Sequence, residues 1–169
     1  MTIAHILDKI SLFKILSDDQ LKAVIQLGNE IVFPRDVEIY RHGQQAKTLY
    51  VLLSGAVSLT IDGPEELDIM AEALEKPGSV FGMAALTKSR VYNVTATCTK
   101  STKAFALDSD GLRDIIRREP AAGLEVMAEL AQLYLNRFNY TRRAITNLFK
   151  IFKTQTYKAE VYDVYSELR

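Results

Sequence analysis

The sequence predicts an α+β fold, an antiparallel β-barrel flanked by N-terminal helices and a long C-terminal helix. Three observations predict it. Apolar residues recur at helical spacing before residue 28, at alternate positions from residue 30 to 108, and at helical spacing again from Ser109. The alternating region is cut into short runs by Gly43, Gly55, Gly63 and Gly78 and by Pro34, Pro64 and Pro77. Such runs with close turns read as an antiparallel sandwich or small barrel, not as a parallel α/β sheet. Residues 121–153 contain no proline and read as one long helix.

The elements follow in order. In AHILDKISLFKIL, Ile6, Leu7, Ile10 and Phe13 predict a first helix. Ser17 then opens SDDQLKAVIQLG. A Ser N-cap, two acids in the first turn, Gln20 completing a capping box, apolar Leu21, Val24 and Ile25, and Gly28 as a stop predict a second. The strand-like runs are EIVFP, VEIYRHG, LYVLLSG, AVSLTIDGP, LDIMAEALEKPG, VYNVTATC and KAFALD. FGMAAL, residues 81–86, interrupts them with the makings of a single helical turn. SDGLRDIIRRE reads as a short helix, and Pro120 starts the next. The last stretch, TYKAEVYDVYSELR, reads as a strand or a further helical turn; Tyr157, Val161, Val164, Tyr165 and Leu168 fit a helix slightly better. The expected organisation is a barrel with N-terminal helices over 1–120, a long helix over 121–153 and a tail over 154–169.

Composition narrows the function. Lys+Arg and Asp+Glu are 21 each in 169 residues, so the whole molecule has no electrostatic claim on nucleic acid or membrane. The single cysteine, Cys98, excludes an internal disulfide and lies in an alternating stretch, as a buried structural thiol would. With only His5 and His42 beside it, no Cys/His metal site is expected. No signal pattern, long apolar run or catalytic spacing stands out. A soluble, cytoplasmic, non-enzymatic protein is the expectation.

The order of elements resembles the cyclic nucleotide-binding domain of catabolite activator proteins, kinase regulatory subunits and gated channels. LFKILSDDQL (12–21) is similar to the family's opening helix. EIYRHGQQAKTLYVLLSGAVSL (38–59) is similar to its barrel signature, with Gly43 and Gly55 at the turn glycines. PGSVFGMAAL (77–86) resembles the start of the phosphate-binding cassette, and AFALD (104–108) the closing strand. The resemblance implies a barrel of the double-stranded β-helix or jelly-roll type and a regulatory, ligand-sensing role in signal transduction. It implies cAMP, cGMP or a related small molecule as the ligand class, with no cofactor certain. Where the family has a glycine after the first strand, PRDV puts Asp36, which tolerates turn geometry. Its DNA-reading members carry a helix-turn-helix after the long helix. The residues after 152 are too few for that module, so direct DNA binding is not expected.

The resemblance places the ligand at Phe81, Gly82, Met83, Ala84, Ala85, Arg90, Tyr92 and Asn93. A cyclic phosphate needs backbone N–H donors and, usually, an arginine able to bond two oxygens. Gly82 and the small alanines can offer backbone donors at the start of a helical turn. The family usually has Glu directly after Phe-Gly to accept from the ribose hydroxyl; here it is Met83, a poor acceptor. Its phosphate arginine usually lies nine positions later; here that residue is Tyr92. The two losses together remove about 3–6 kcal/mol, or two to four decades of affinity. Arg90 could replace the arginine if its loop is rearranged, or it could belong, with Lys88, to a solvated loop. Met83 and Tyr92 could serve a more aromatic ligand or could simply fill the pocket.

Along the long helix a 3/4 spacing runs through Leu124, Met127, Ala131, Tyr134, Phe138, Thr141, Ile145, Leu148 and Phe152. Only Thr141 is not apolar. This reads as a coiled-coil seam that predicts a homodimer through a second copy of the helix, or as a face that folds back onto its own domain. A second stripe, Val126, Leu130 and Leu133, is expected to pack on the barrel. RFNYTRRAITNLFKIFK (137–153) sets Arg137, Arg142, Arg143, Lys150 and Lys153 among aromatics with no acid. It reads as the solvated flank of a coiled coil or as a basic patch for RNA, a membrane surface or an acidic protein partner.

Overall fold

The computed structural model describes residues 3–61 and 69–166. Two short helices, α1 (Ile3–Leu7) and α2 (Ser11–Lys14), stand where the spacing predicts one. In a single straight helix Leu12 would lie about 140° around the axis from Leu7. The break at Ile10, which is extended at φ −86° and ψ 124°, lets Leu7, Ile10, Leu12 and Phe13 all be buried. Next, α3 (Asp18–Gln26) has the predicted capping box. Gln20 N–H donates to Ser17 Oγ at 3.3 Å, and Ser17 N–H donates to Gln20 Oε1 at 2.8 Å. Gly28 is not the left-handed helix stop that its position suggests. It is the first residue of β1, and a Cβ there would lie 2.5 Å from Ala106 O across the sheet.

The strands are β1 (Gly28–Phe33), β2 (Glu38–Tyr40), β3 (Thr48–Ser54), β4 (Val57–Ile61), β5 (Ile69–Leu74), β6 (Val80–Phe81), β7 (Thr95–Cys98) and β8 (Thr102–Asp108). They form two four-stranded sheets, ordered β1-β8-β3-β6 and β2-β7-β4-β5, with every pairing antiparallel. The seven alternating runs supply seven strands. The other, β6, is two residues long and pairs Tyr50 with Phe81 and Val51 with Val80. VYNVTATC contributes only its second half; Val91 forms an isolated bridge with Gln45.

The interior between the sheets holds Leu52, Val57, Leu59, Leu74, Ala96 and Ala104 together with Tyr40, Phe81 and Tyr92. Alternation puts Leu49 and Val51 on the opposite face of β3, and Phe105 and Leu107 on that of β8. All four are buried as well, because helices cover this side. Here α3 packs against β1 and α4 (Ser109–Arg118), and α4 packs against β8. Asp108 caps α4, accepting from Gly111 N–H at 2.7 Å. Then α5 runs Pro120–Ser166 from its predicted proline start, continuing through most of the stretch read as a tail.

The chain divides into compact units of residues 1–133 and 134–169. Cys98 is a free, buried thiol. Among the described residues no helix is long and apolar enough to cross a membrane, and no cluster of His, Cys, Asp and Glu could hold a metal.

Several turns depend on left-handed backbone. Asp36 takes φ 66°, and its N–H donates to Cys98 O at 2.7 Å. Gly55 takes φ 94°, with Ser101 O only 2.4 Å from where a Cβ would be. Gly43 has φ 80° but open space around it. Gly55→Ala therefore loses well over 1 kcal/mol, about 2–4, through strain and collision together, whereas Gly43→Ala loses only the strain, about 1 kcal/mol. Urea denaturation of the two variants checks this; equal losses would contradict it.

Candidate functional site

The chain leaves β6 through Gly82, at φ 71° and ψ 20°, into a four-residue 3₁₀ turn, Met83–Leu86. Glycine is required there. Besides the positive φ, a Cβ would lie 2.8 Å from Thr48 O and 3.1 Å from Tyr50 Cδ2. Met83, Ala84, Ala85 and Leu86 are all buried. Ala84 and Ala85 lie in the interior between the sheets, and all four side chains of the turn are apolar.

Four aromatic rings from both sheets close over it. The Tyr92 ring lies on that of Tyr40, with centroids 3.8 Å apart and planes 13° from parallel. Tyr40 also stacks on Tyr50 at 5.9 Å and on Phe81 at 6.3 Å, and Tyr50 stacks on Phe81 at 5.1 Å. The hydroxyls are used within the fold. Gly82 N–H donates to the Tyr40 hydroxyl at 3.0 Å. The Tyr92 hydroxyl donates to Thr48 O at 2.8 Å and accepts from Thr48 N–H at 3.3 Å. The first amide of the turn, a donor the sequence reading assigns to a ligand, thus has a tyrosine oxygen instead. Burial, aided by Tyr50, pushes the Tyr92 hydroxyl up to about 12, so the ring is neutral at physiological pH.

Arg90 points elsewhere. Its backbone is left-handed (φ 49°), and its guanidinium donates to Asp110 at 2.7 Å and to Ser109 Oγ at 3.5 Å, at the start of α4. The hydrogen bond from Arg90 holds the Asp110 carboxyl below its ordinary range, and the positive charges of Arg90, Arg113 and Lys47 add to this. From α4, Arg113 donates to Ala85 O at 2.9 Å and to Thr87 O at 2.7 Å, fixing the end of the 3₁₀ turn.

Of the residues read from sequence, Phe81, Ala84, Ala85 and Tyr92 share the buried interior, Gly82 N–H bonds the Tyr40 hydroxyl beside it, and Met83 is buried. Arg90 is held by Asp110, and Asn93 is exposed. Sequence reasoning missed Tyr40, Tyr50, Thr48 and Arg113. Tyr40 and Tyr50 carried a signal, as polar-tipped aromatics at inward positions of two strands. Arg113 carried none.

A second candidate surface lies on α5. Of the second stripe, Val126 and Leu130 are buried and Leu133 is half-buried. The seam is not covered in the same way. Leu124 is 71% exposed and Met127 42%; further along, Phe138 is 63% and Ile145 46% exposed. Ala131 is also exposed and Tyr134 half-buried. The Leu148 and Phe152 side chains lie outside the described residues.

Comparison with known proteins gives a consistent result. A family model described as the cyclic nucleotide-binding domain matches residues 30–119, more than half of the chain. The CRP-like cAMP-activated global transcriptional regulator of Mycobacterium tuberculosis is 22% identical over 85% of this chain and 62% of its own length. The cyclic AMP receptor protein of Thermus thermophilus is 27% identical over 72% of this chain and 56% of its own. The chain thus spans about three-fifths of the length of these relatives. A solved cyclic nucleotide-binding domain from Methylobacillus flagellatus superposes with a TM-score of 0.72 at 22% identity, over 86% of this chain and 81% of that one, which supports the fold.

Tyr92→Phe removes both bonds to Thr48 and costs about 1–3 kcal/mol, measured by chemical denaturation. It also changes the alkaline limb of stability. Folding raises the Tyr92 pKa from an ordinary 10.0 to about 12. Its contribution is therefore complete below the lower value and lost as pH rises toward the upper one. Tyr92→Phe flattens that loss. Asp110 has the opposite sign: its depressed pKa contributes stability above the ordinary carboxylate range that disappears as pH falls through the folded value. Asp110→Asn flattens the acid limb.

Proposed function

The chain belongs to the cyclic nucleotide-binding domain family, and we propose that it is a non-catalytic regulatory module of that family whose cassette is filled from within. The observation that carries this reading is the Tyr40 hydroxyl on Gly82 N–H, with Tyr92 stacked on Tyr40 at 3.8 Å. A cyclic nucleotide would have to separate that stack and displace the hydroxyl. In return it would find Met83 and Tyr92 where the family resemblance expects a carboxylate and a guanidinium. The module therefore does not bind cAMP or cGMP in the ordinary way. It acts as a sensor or adaptor through its contacts with other macromolecules, in the cytoplasm.

In the same reading two copies meet along residues 121–153. The exposed seam of Leu124, Met127, Ala131, Phe138 and Ile145 supports this, because an apolar stripe at 3/4 spacing is the face that a second helix covers. The rival reading is a true nucleotide receptor using Arg90. It requires Arg90 to leave Asp110, an ion pair at 2.7 Å.

Thermal unfolding with cAMP or cGMP up to millimolar tests the cassette. A ligand at a hundredfold excess over its Kd adds about 2.7 kcal/mol. The expected outcome is no shift for the wild type, and a saturable shift after Met83→Glu with Tyr92→Arg. A micromolar response from the wild type that disappears in Arg90→Ala would establish the rival.

A further inference from the structure

Between Glu129 and Glu160 the chain has no acid, while it carries Arg137, Arg142, Arg143, Lys150, Lys153 and Lys158. This whole run lies on α5. Arg142 and Arg143 are exposed, beside the exposed rings of Phe138 and Tyr140. The heptad fixes where the charges fall. With Leu124, Ala131, Phe138 and Ile145 at a positions, Arg137 occupies a g position and Arg142 the next e position. When two parallel copies pair in register, g of one helix faces e of the next heptad in the other. Arg137 of one copy then stands against Arg142 of the second, on both flanks. Any other overlap within the acid-free run also sets cations only against cations, and such contacts oppose association. The paired helices are therefore short of negative charge.

We propose that this deficit is met by a short acidic peptide segment of a partner protein, bound along the flanks of the paired helices. The proposal rests on the pairing reading above. Arginine favours this ligand, because its planar fork bonds a carboxylate bidentately. Asn139 and Asn147 add neutral hydrogen-bonding groups along the same stretch. The rest of the chain argues for a short ligand over nucleic acid. Of 21 Lys+Arg these six lie in the run, leaving 15 against all 21 acids elsewhere. A long polyanion reaching past the helix meets net negative charge, whereas a short acidic segment does not. An anionic membrane is disfavoured because pairing consumes the apolar face that would insert.

The test uses the full chain at low salt, in sedimentation equilibrium and in titrations with a labelled glutamate-rich peptide of about a dozen residues, long enough to follow three helical turns. An RNA of similar length and anionic vesicles are the comparators. The expected result is that the peptide binds and tightens self-association about tenfold, with the effect lost at high salt. Arg142→Glu sets opposite charges at the g and e positions. It tightens self-association without peptide and weakens peptide binding at least tenfold, about the effect of replacing attraction by repulsion. A chain that dimerises but ignores the peptide overturns the proposal, as does tighter binding to RNA or to vesicles. A wild type and an Arg142→Glu variant that both stay monomeric, with or without peptide, overturn the pairing itself and the proposal with it.

Discussion

The bond from Gly82 N–H to the Tyr40 hydroxyl is the constraint around which the barrel's interior is arranged. A buried amide needs an acceptor, and leaving one unmade costs about 1–3 kcal/mol. Gly82 is set by its left-handed backbone, which only glycine fits here, since a Cβ would lie 2.8 Å from Thr48 O and 3.1 Å from the Tyr50 ring. Tyr40 therefore stays inward, and its ring offers one face on which Tyr92 stacks. Tyr92 in turn finds both partners for its hydroxyl on Thr48, two residues before Tyr50, which joins the stack. The Tyr40 and Tyr92 hydroxyls are bonded, their rings and that of Phe81 are buried and Tyr50 is half-buried, an arrangement that supports the proposed self-filled cassette.

The same turn is tied to the helices. Arg113 holds the carbonyls of Ala85 and Thr87, and Arg90 holds Asp110. Both links reach α4, which is followed after Glu119 by α5. A rearrangement of the turn would have to break charge-assisted bonds on α4, while the exposed seam starts a few residues later at Leu124. The proposed module thus has its ligand-like contacts inside, tied to α4 by two arginines, and its proposed macromolecular contacts on α5.

Much of this was legible in the residues, and the limits have physical reasons. The Ser17 capping box, the proline start of α5 and seven of the strands follow local rules that the tertiary structure does not override. The division of the first helix at Ile10 does not, because it is imposed by burying Leu7 and Leu12 together. Gly28 misleads for a similar reason: a glycine after a helix suggests a cap, but this one is small because β8 is close. In the cassette, Met83 and Tyr92 signalled the missing charges. The contacts proposed to take a ligand's place could not be read there, because Tyr40 and Thr48 are more than 40 positions from Tyr92 and meet it only when the two sheets close. The Arg90–Asp110 pair, 20 positions apart, is hidden in the same way.

The most direct test of the self-filled cassette is hydrogen exchange at the Gly82 amide, followed by NMR in the free protein, with cAMP, and in Tyr40→Phe. The account predicts an amide that is protected without ligand, unchanged by millimolar cAMP, and exposed to fast exchange once the Tyr40 hydroxyl is removed. An amide that exchanges freely in the wild type and gains protection only when cAMP is added would contradict it.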